Sequence, residues 1–202
     1  MKVVAGKYKG YNLLSPKSKT SRPTDNKVKE AIFDMLFPFK SDFRALDLFA
    51  GTGQMGIEFL SRGAKEVYFN EKNYSNFSIL KQNLDKVNSE GFFTYKNDFV
   101  RCLKDLGDKN LRFDYIFLDP PYETDFIDKA LFYIKEYDLL NEDGIVITES
   151  SMDMDFSEKY GLYVLKDKSY GRKFIKFYTK WKWFTQVASI HLLRAIWTLS
   201  KD

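Results

Sequence analysis

A chain of 202 residues with 44% hydrophobic side chains is long enough and apolar enough for one domain with a full core. Its single cysteine, Cys102, excludes a disulfide framework and a cysteine-based zinc site, and with His191 as the one histidine no metal centre is expected. The net charge of +4 is unevenly spread: residues 1–29 hold eight basic residues against Asp25, residues 162–182 hold seven against Asp167, and residues 30–161 carry −10. Two basic ends around an acidic middle fit a polyanion gripped by the ends, the plainer alternative being solvated lysine-rich faces. The opening MKVVAGKYKG lacks the apolar stretch of a signal peptide, and no apolar run reaches membrane-spanning length. The expectation is a soluble cytoplasmic enzyme, monomeric and without a membrane partner.

In chain order, residues 2–5 and 11–14 flank a glycine-containing turn and predict a short hairpin, followed by a polar, basic loop over 15–23. Asp25 can cap a helix running to about Phe37, with Val28, Ile32, Met35 and Leu36 on one face, and Pro38 ends it. From Arg44 strands and helices alternate. Residues 45–49 predict a strand, then a glycine-rich turn and a helix to about Leu60. Residues 66–70 predict the second strand, and Phe77, Leu80, Leu84 and Val87 recur at helical spacing after it. Further strands are expected at 92–95, 113–118 and 145–148, the last two separated by a helix bearing Ile127, Leu131 and Ile134. Runs this apolar suit a parallel sheet covered by helices on both faces. Residues 163–165 and 174–178 flank Ser169-Tyr170-Gly171-Arg172 without an intervening helix, which predicts an antiparallel hairpin at one sheet edge. The expected division is a hairpin and basic loop over 1–24, an α/β domain over 25–180 and an apolar extension over 181–202. Ligands of such sheets bind beyond the carboxyl ends of the strands.

The first strand leads into Asp47-Leu48-Phe49-Ala50-Gly51-Thr52-Gly53-Gln54-Met55-Gly56, where Gly51, Gly53 and Gly56 satisfy G-x-G-x-x-G. A dinucleotide pyrophosphate would want helix N-terminal amides and no nearby anion, yet Asp47 stands at the strand exit. S-adenosyl-L-methionine carries an ammonium and a sulfonium, which a carboxylate complements. Glu71, twenty residues after Gly51, closes the second strand where a carboxylate can accept from ribose hydroxyls. Asn97-Asp98 follows the third strand and is placed for an adenine amino group. Phe49, Ala50, Thr52, Lys72 and Phe99 complete the expected cofactor site. For Glu71 and Asp98 the plainer role is a helix cap.

The fourth strand runs into Asp119-Pro120-Pro121-Tyr122. The lone pair of an exocyclic base amine is delocalised into the ring, so the nitrogen is a poor nucleophile. Two acceptors aimed at its N–H groups would favour pyramidalisation and point the lone pair at a methyl donor. Asp119 can supply a side-chain oxygen and Pro120 a backbone carbonyl, while Pro121 and Pro120 each hold the preceding residue extended. Tyr122 offers a face on which a flipped or single-stranded base can stack. A simple strand-to-loop turn is the plainer reading of the prolines.

These residues, with Arg22-Pro23-Thr24 before the first helix, Lys29-Glu30 and Phe33 within it, and Gly56-Ile57-Glu58, resemble the bacterial methyltransferases of the guanine N2 amine in 16S ribosomal RNA. The likeness extends from about Lys2 to Tyr178. It implies a Rossmann-like class I methyltransferase fold with a seven-stranded sheet, S-adenosyl-L-methionine as donor, and the small ribosomal subunit or an assembly intermediate as substrate. It places Arg22 and Thr24 near the active-site mouth, with Lys7, Lys9 and Arg172 as further candidate RNA contacts. The Asp-Pro-Pro-Tyr segment alone also marks DNA adenine-N6 and cytosine-N4 methyltransferases, which need a sequence-reading region of a size not found here. A non-catalytic RNA-binding assembly factor is the rival from another class. The segment 181–202, with Trp181, Trp183 and Trp197, departs from the family pattern and is expected to add a packed helix.

Overall fold

The computed structural model of the chain describes residues 1–16, 26–121 and 125–181. Its elements are α1 (Asn26–Leu36), β1 (Arg44–Asp47), α2 (Gln54–Ser61), β2 (Glu66–Asn70), α3 (Tyr74–Val87), β3 (Phe92–Tyr95), α4 (Phe99–Asp108), β4 (Phe113–Leu118), α5 (Asp125–Glu136), β5 (Leu140–Ser150), α6 (Ser157–Tyr160), β6 (Tyr163–Tyr170) and β7 (Lys173–Thr179). The strands form one seven-stranded sheet in the order β3-β2-β1-β4-β5-β7-β6. β1 to β5 run parallel, and β7 is antiparallel to both β5 and β6. This is the Rossmann-like seven-stranded sheet that the resemblance implies, with the antiparallel edge hairpin expected from residues 163–178. Strand order reverses between β1 and β4, and that crevice is where such sheets take their ligands.

Side chains alternate across the sheet with the period of two that strands impose. Ala45, Val67, Phe69, Tyr115, Phe117 and Ile147 point to one face, where they pack with Ile32, Phe33, Ile57 and Leu84 of the helices α1 to α3. Leu46, Tyr68, Ile116, Leu118 and Val146 point to the other, against Cys102, Leu103 and Leu106 of α4 and Ile127, Leu131 and Ile134 of α5. Both faces are therefore dry, which explains why the central strands are nearly all apolar.

The N-terminal segment pairs less regularly than a two-stranded hairpin, with one bridge between Lys2 and Asn12. It is nonetheless part of the same core through Val3, Tyr8 and Leu13, so residues 1–16 do not stand apart from the sheet domain. Glu58 of α2 accepts from the Val4 and Ala5 amides and pairs with Lys29 of α1 at 3.3 Å, both side chains fully buried. Asn83 of α3 holds Leu14 through its amide nitrogen and its carbonyl.

Three expectations are corrected. α4 is missing from the predicted elements, although Phe99, Cys102, Leu103 and Leu106 carry its buried face. β1 stops at Asp47 instead of residue 49, because the chain bends there into the glycine turn, Leu48 and Ala50 donating sideways to Phe117 and Asn70. β5 starts at Leu140, five residues early, since Leu140 pairs with Phe113 across an irregularity that the polar run 141–143 conceals. Asp25 and all of the 181–202 extension except Trp181 lie outside the described residues. Among the described residues no helix is long and apolar enough to cross a membrane.

Candidate active site

A cleft of about 720 Å³ opens at the carboxyl ends of β1, β2, β4 and β5. Its floor begins at the glycine turn. Gly53, the N-cap of α2, has φ 86°, and a β-carbon there would come within 2.4 Å of Leu80 Cδ1. Gly56 lies on the Phe69 ring, 2.1 Å from where its own β-carbon would be, so this glycine serves helix–strand packing and does not line the cleft. Its amide donates to Asp47 Oδ2 at 2.8 Å, which makes Asp47 the carboxylate that caps α2. Burial pushes the Asp47 carboxyl up to about 7, the Gly56 amide opposes the shift, and the Glu71 charge adds to it.

Glu71 accepts from the Gly51 amide at 2.8 Å and the Asn73 amide at 2.6 Å, and burial raises its proton affinity as well. The carboxylate thus fastens the glycine turn to the start of α3. Asp98 is the N-cap of α4, accepting from the Val100 amide at 3.0 Å, and it pairs with Lys72 at 3.3 Å. The cap role that sequence left open for Asp98 is therefore present, while its residue also faces the cleft. Asn97 turns aside: its amide nitrogen donates to Asp105 and does not line the cleft. Phe49, Phe99 and Phe126 form one aromatic wall, with centroids 5.3 Å apart for Phe49–Phe99 and 5.1 Å for Phe99–Phe126. Carboxylates at three successive strand exits beside an aromatic wall fit a ligand with a cationic end, a ribose and a planar base. Ala50, Thr52 and Lys72 complete that side of the cleft.

Asp119 and Pro120 leave β4 at the other side of the cleft, with Pro121 beyond them. Asp119 is half-buried. Burial holds its carboxyl well above the usual carboxylate range, the Glu149 charge pushes it further, and Lys173 opposes the rise. A carboxyl with raised proton affinity is suited to accept a proton from a reacting group. Leu118 is in register with Thr148, so Asp119, just past β4, comes beside Glu149 near the end of the adjacent parallel β5. Glu149 is 4% exposed and ion-paired with Lys173 of β7. Among the described residues no three His, Cys, Asp or Glu side chains gather to hold a metal ion.

Of the candidate RNA contacts, Arg172 lies exposed on the β6–β7 turn at the cleft rim. Lys7 and Lys9 do not reach the cleft. The Lys7 and Tyr8 amides are bonded to Ser61 at the far end of α2, roughly 12 Å along that helix from its N-terminus. Tyr122, Arg22 and Thr24 lie outside the described residues. The basic stretches also turn out to be partly internal, because Lys29 is buried on Glu58, Lys176 bridges Asp153 and Asp167, and Lys180 pairs with Asp138. Sequence reasoning passed over Asn70, Phe126, Glu149 and Lys173, which all line the cleft. Glu149 had a signal, since it sits at the exit of a fifth parallel strand; Lys173 had none short of the β5–β7 register.

Comparison with known proteins shows the family and the fold. The family described as "Conserved hypothetical protein 95" matches residues 1–179. The chain is 36% identical over 182 residues to the putative rRNA methyltransferase YlbH of Bacillus subtilis, covering 89% of this chain and 99% of that protein. It is 32% identical over 173 residues to the ribosomal RNA small subunit methyltransferase D of Haemophilus influenzae, covering 85% and 89%. The crystal structure of a putative methylase from Haemophilus influenzae superposes with a TM-score of 0.74 at 28% identity, over 90% of this chain and 98% of that one. The fold is that of the class I methyltransferases, and the chain belongs to the Conserved hypothetical protein 95 family, whose curated relatives include the bacterial ribosomal RNA small subunit methyltransferases D.

Proposed function

We propose that the chain is an S-adenosyl-L-methionine-dependent methyltransferase acting on the exocyclic N2 amine of a guanine in 16S rRNA, in the small ribosomal subunit or an assembly intermediate. The observation that carries the reading is Asp119-Pro120 at the exit of β4, sharing one cleft with the carboxylates of β1 and β2. The relatives named as rRNA methyltransferases support RNA as the substrate, and the exposed Arg172 at the rim suits a phosphate. The bound cofactor would supply a methyl group on a sulfonium. Asp47 would lie by its cationic end, Glu71 by the ribose, and Phe49, Phe99 and Phe126 by the base. Asp119 Oδ and the Pro120 carbonyl would each accept one N–H of the target amine, holding its nitrogen in line for displacement. Asp119 would then take the proton that the methylated nitrogen sheds. Tyr122 would stack on the extruded base, and Arg22 and Thr24 would meet the RNA near it. The enzyme is read as a cytoplasmic monomer that needs no metal.

The test is methyl transfer from radiolabelled cofactor to undermethylated small subunits, naked rRNA, duplex DNA and protein, followed by mass-spectrometric mapping of the product. Label in rRNA at a guanine N2 is expected. Label in DNA or protein but not in rRNA would overturn the reading, and label in none would favour a binding factor without catalysis.

A further inference from the structure

Among the cleft residues that the reading above leaves unused, Glu149 has an unusual environment. One carboxylate oxygen is taken by Lys173; the other, Oε2, is the one buried side-chain oxygen among the described residues without a hydrogen-bond partner. A buried acceptor left unmade costs free energy that native structures rarely carry without a use. Glu149 lines the same cleft as Asp119, one strand away and in matching register. Lys173 compensates the charge of its carboxylate in this dry place. An ionised carboxylate offers lone pairs only, and it can be satisfied only by a donor.

The standard bases differ at this point. Guanine presents a ring N–H, at N1, next to its exocyclic amine. Adenine and cytosine present a bare ring nitrogen, an acceptor, next to theirs. A carboxylate oxygen beside the group that holds the amine would pair with the first and face lone pair to lone pair with the others. Building on the guanine-N2 reading, we propose that Glu149 is the specificity-determining residue of this enzyme: Oε2 accepts the N1–H of the target guanine while Lys173 holds the other oxygen. Discrimination then arises at the base edge, inside the methylation cleft, and needs no separate sequence-reading region.

The test replaces the guanine that the wild-type enzyme modifies by 2-aminopurine, which keeps the 2-amine but has a bare N1. Wild-type transfer to 2-aminopurine is expected to fall about 100-fold in kcat/KM, as when a buried acceptor loses its donor. In Glu149→Gln the amide carbonyl stays on Lys173 and the NH₂ faces the base. Transfer to guanine should drop about 100-fold while the guanine-to-2-aminopurine ratio narrows to tenfold or less. Loss of O6 in the analogue affects both proteins alike, so the change in ratio reads N1. Unchanged cofactor affinity and thermal midpoint would establish that the variant is folded. Equal wild-type rates on the two bases would overturn the proposal without any variant, and so would an equal loss on both bases in Glu149→Gln. If the wild-type product maps to an adenine or cytosine amine, the guanine-N2 reading itself fails and takes this one with it. If it maps to guanine N2 and the ratio still does not move, Glu149 alone has been misassigned.

Discussion

At the exits of β1, β2 and β3 the carboxylates hold backbone amides. Asp47 takes that of Gly56, Glu71 those of Gly51 and Asn73, and Asp98 that of Val100. At the exits of β4 and β5 the carboxylates of Asp119 and Glu149 instead stand on adjacent strands, the Glu149 charge acts on Asp119, and the balancing charge comes from Lys173 on the edge hairpin. Burial raises the proton affinity of Asp47, Glu71 and Asp119 alike, but amide donors oppose it at the first two and a lysine opposes it at the third. The cofactor half is built from groups that shape the loops by the same bonds that place their charge. The reacting half keeps its carboxylates available for a substrate, and the rest of the fold has to hold them there.

The largest expected effect tests that division directly. Asp119→Ala should lower methyl transfer at least about 10³-fold, the upper part of the range for losing an acceptor and proton-transfer group together. Cofactor affinity should stay within about threefold, because the residues assigned to it lie on the other strands. Single-turnover rates and calorimetric binding check both, and a parallel loss of affinity would move Asp119 into the cofactor half. Lys173→Met comes next. It strands the Glu149 charge in a buried place, which costs about 2–4 kcal/mol by urea denaturation, toward the low end for a broken buried pair because Lys173 is partly exposed. A cost near zero would mean that Glu149 is not ionised beside Asp119, and the contrast between the halves would weaken.

Asp47 tests the other half with a smaller effect. Its carboxyl titrates near 7, and a cationic ligand group requires the ionised form. Affinity for the cofactor should therefore fall as pH drops below about 7, approaching tenfold per unit, with proton release on binding at pH 6. Asp47→Asn keeps an acceptor for the Gly56 amide. It should lower affinity about tenfold at pH 8 and flatten the pH dependence below 7. The sign for stability is opposite. A carboxyl whose folded pKa is raised binds its proton more tightly when folded, so its contribution to stability declines as pH rises from about 4 to about 7. The variant should therefore gain on the wild type at pH 8, as thermal midpoints across pH would show. Unchanged affinity with a gain in stability would make Asp47 a cap alone.

The same division governs what the sequence reveals. The Asp47-to-Gly56 turn, Glu71 and Asp98 are local: strand exit, glycine and cap sit within a few residues, so pattern alone locates them. The sheet is legible for the same reason, because β1, β2 and β4 are apolar on both faces. α4 escaped because its four buried positions, Phe99, Cys102, Leu103 and Leu106, sit among charged residues, and only their spacing marks the helix. Glu149 and Lys173 meet through the pairing of β5 with β7, 24 residues apart in the chain, and nothing local announces that contact. Basic composition misled in part for a related reason. Lys29 and Lys176 read as surface charges, yet Lys29 is buried on Glu58 and Lys176 is spent on bridging Asp153 and Asp167.

Asp98 gives the smallest effect and the sharpest separation between capping and ligand contact. Its carboxylate caps α4 at 3.0 Å and makes an exposed pair with Lys72, and pairs of that kind contribute little. Asp98→Ala should cost about 1 kcal/mol in stability through the lost cap. Asp98→Asn should cost almost none, since asparagine caps as well as aspartate. If Asp98 also meets the adenine amino group, both variants remove a charge-assisted acceptor and should weaken cofactor binding by about threefold to tenfold. Chemical denaturation and calorimetry on the same two proteins separate the roles. Binding that follows stability, lost in the alanine variant and kept in the asparagine variant, would reduce Asp98 to a cap. Binding lost in both while stability is lost in one would show the dual use of a single carboxylate that distinguishes this half of the cleft from the half around Asp119.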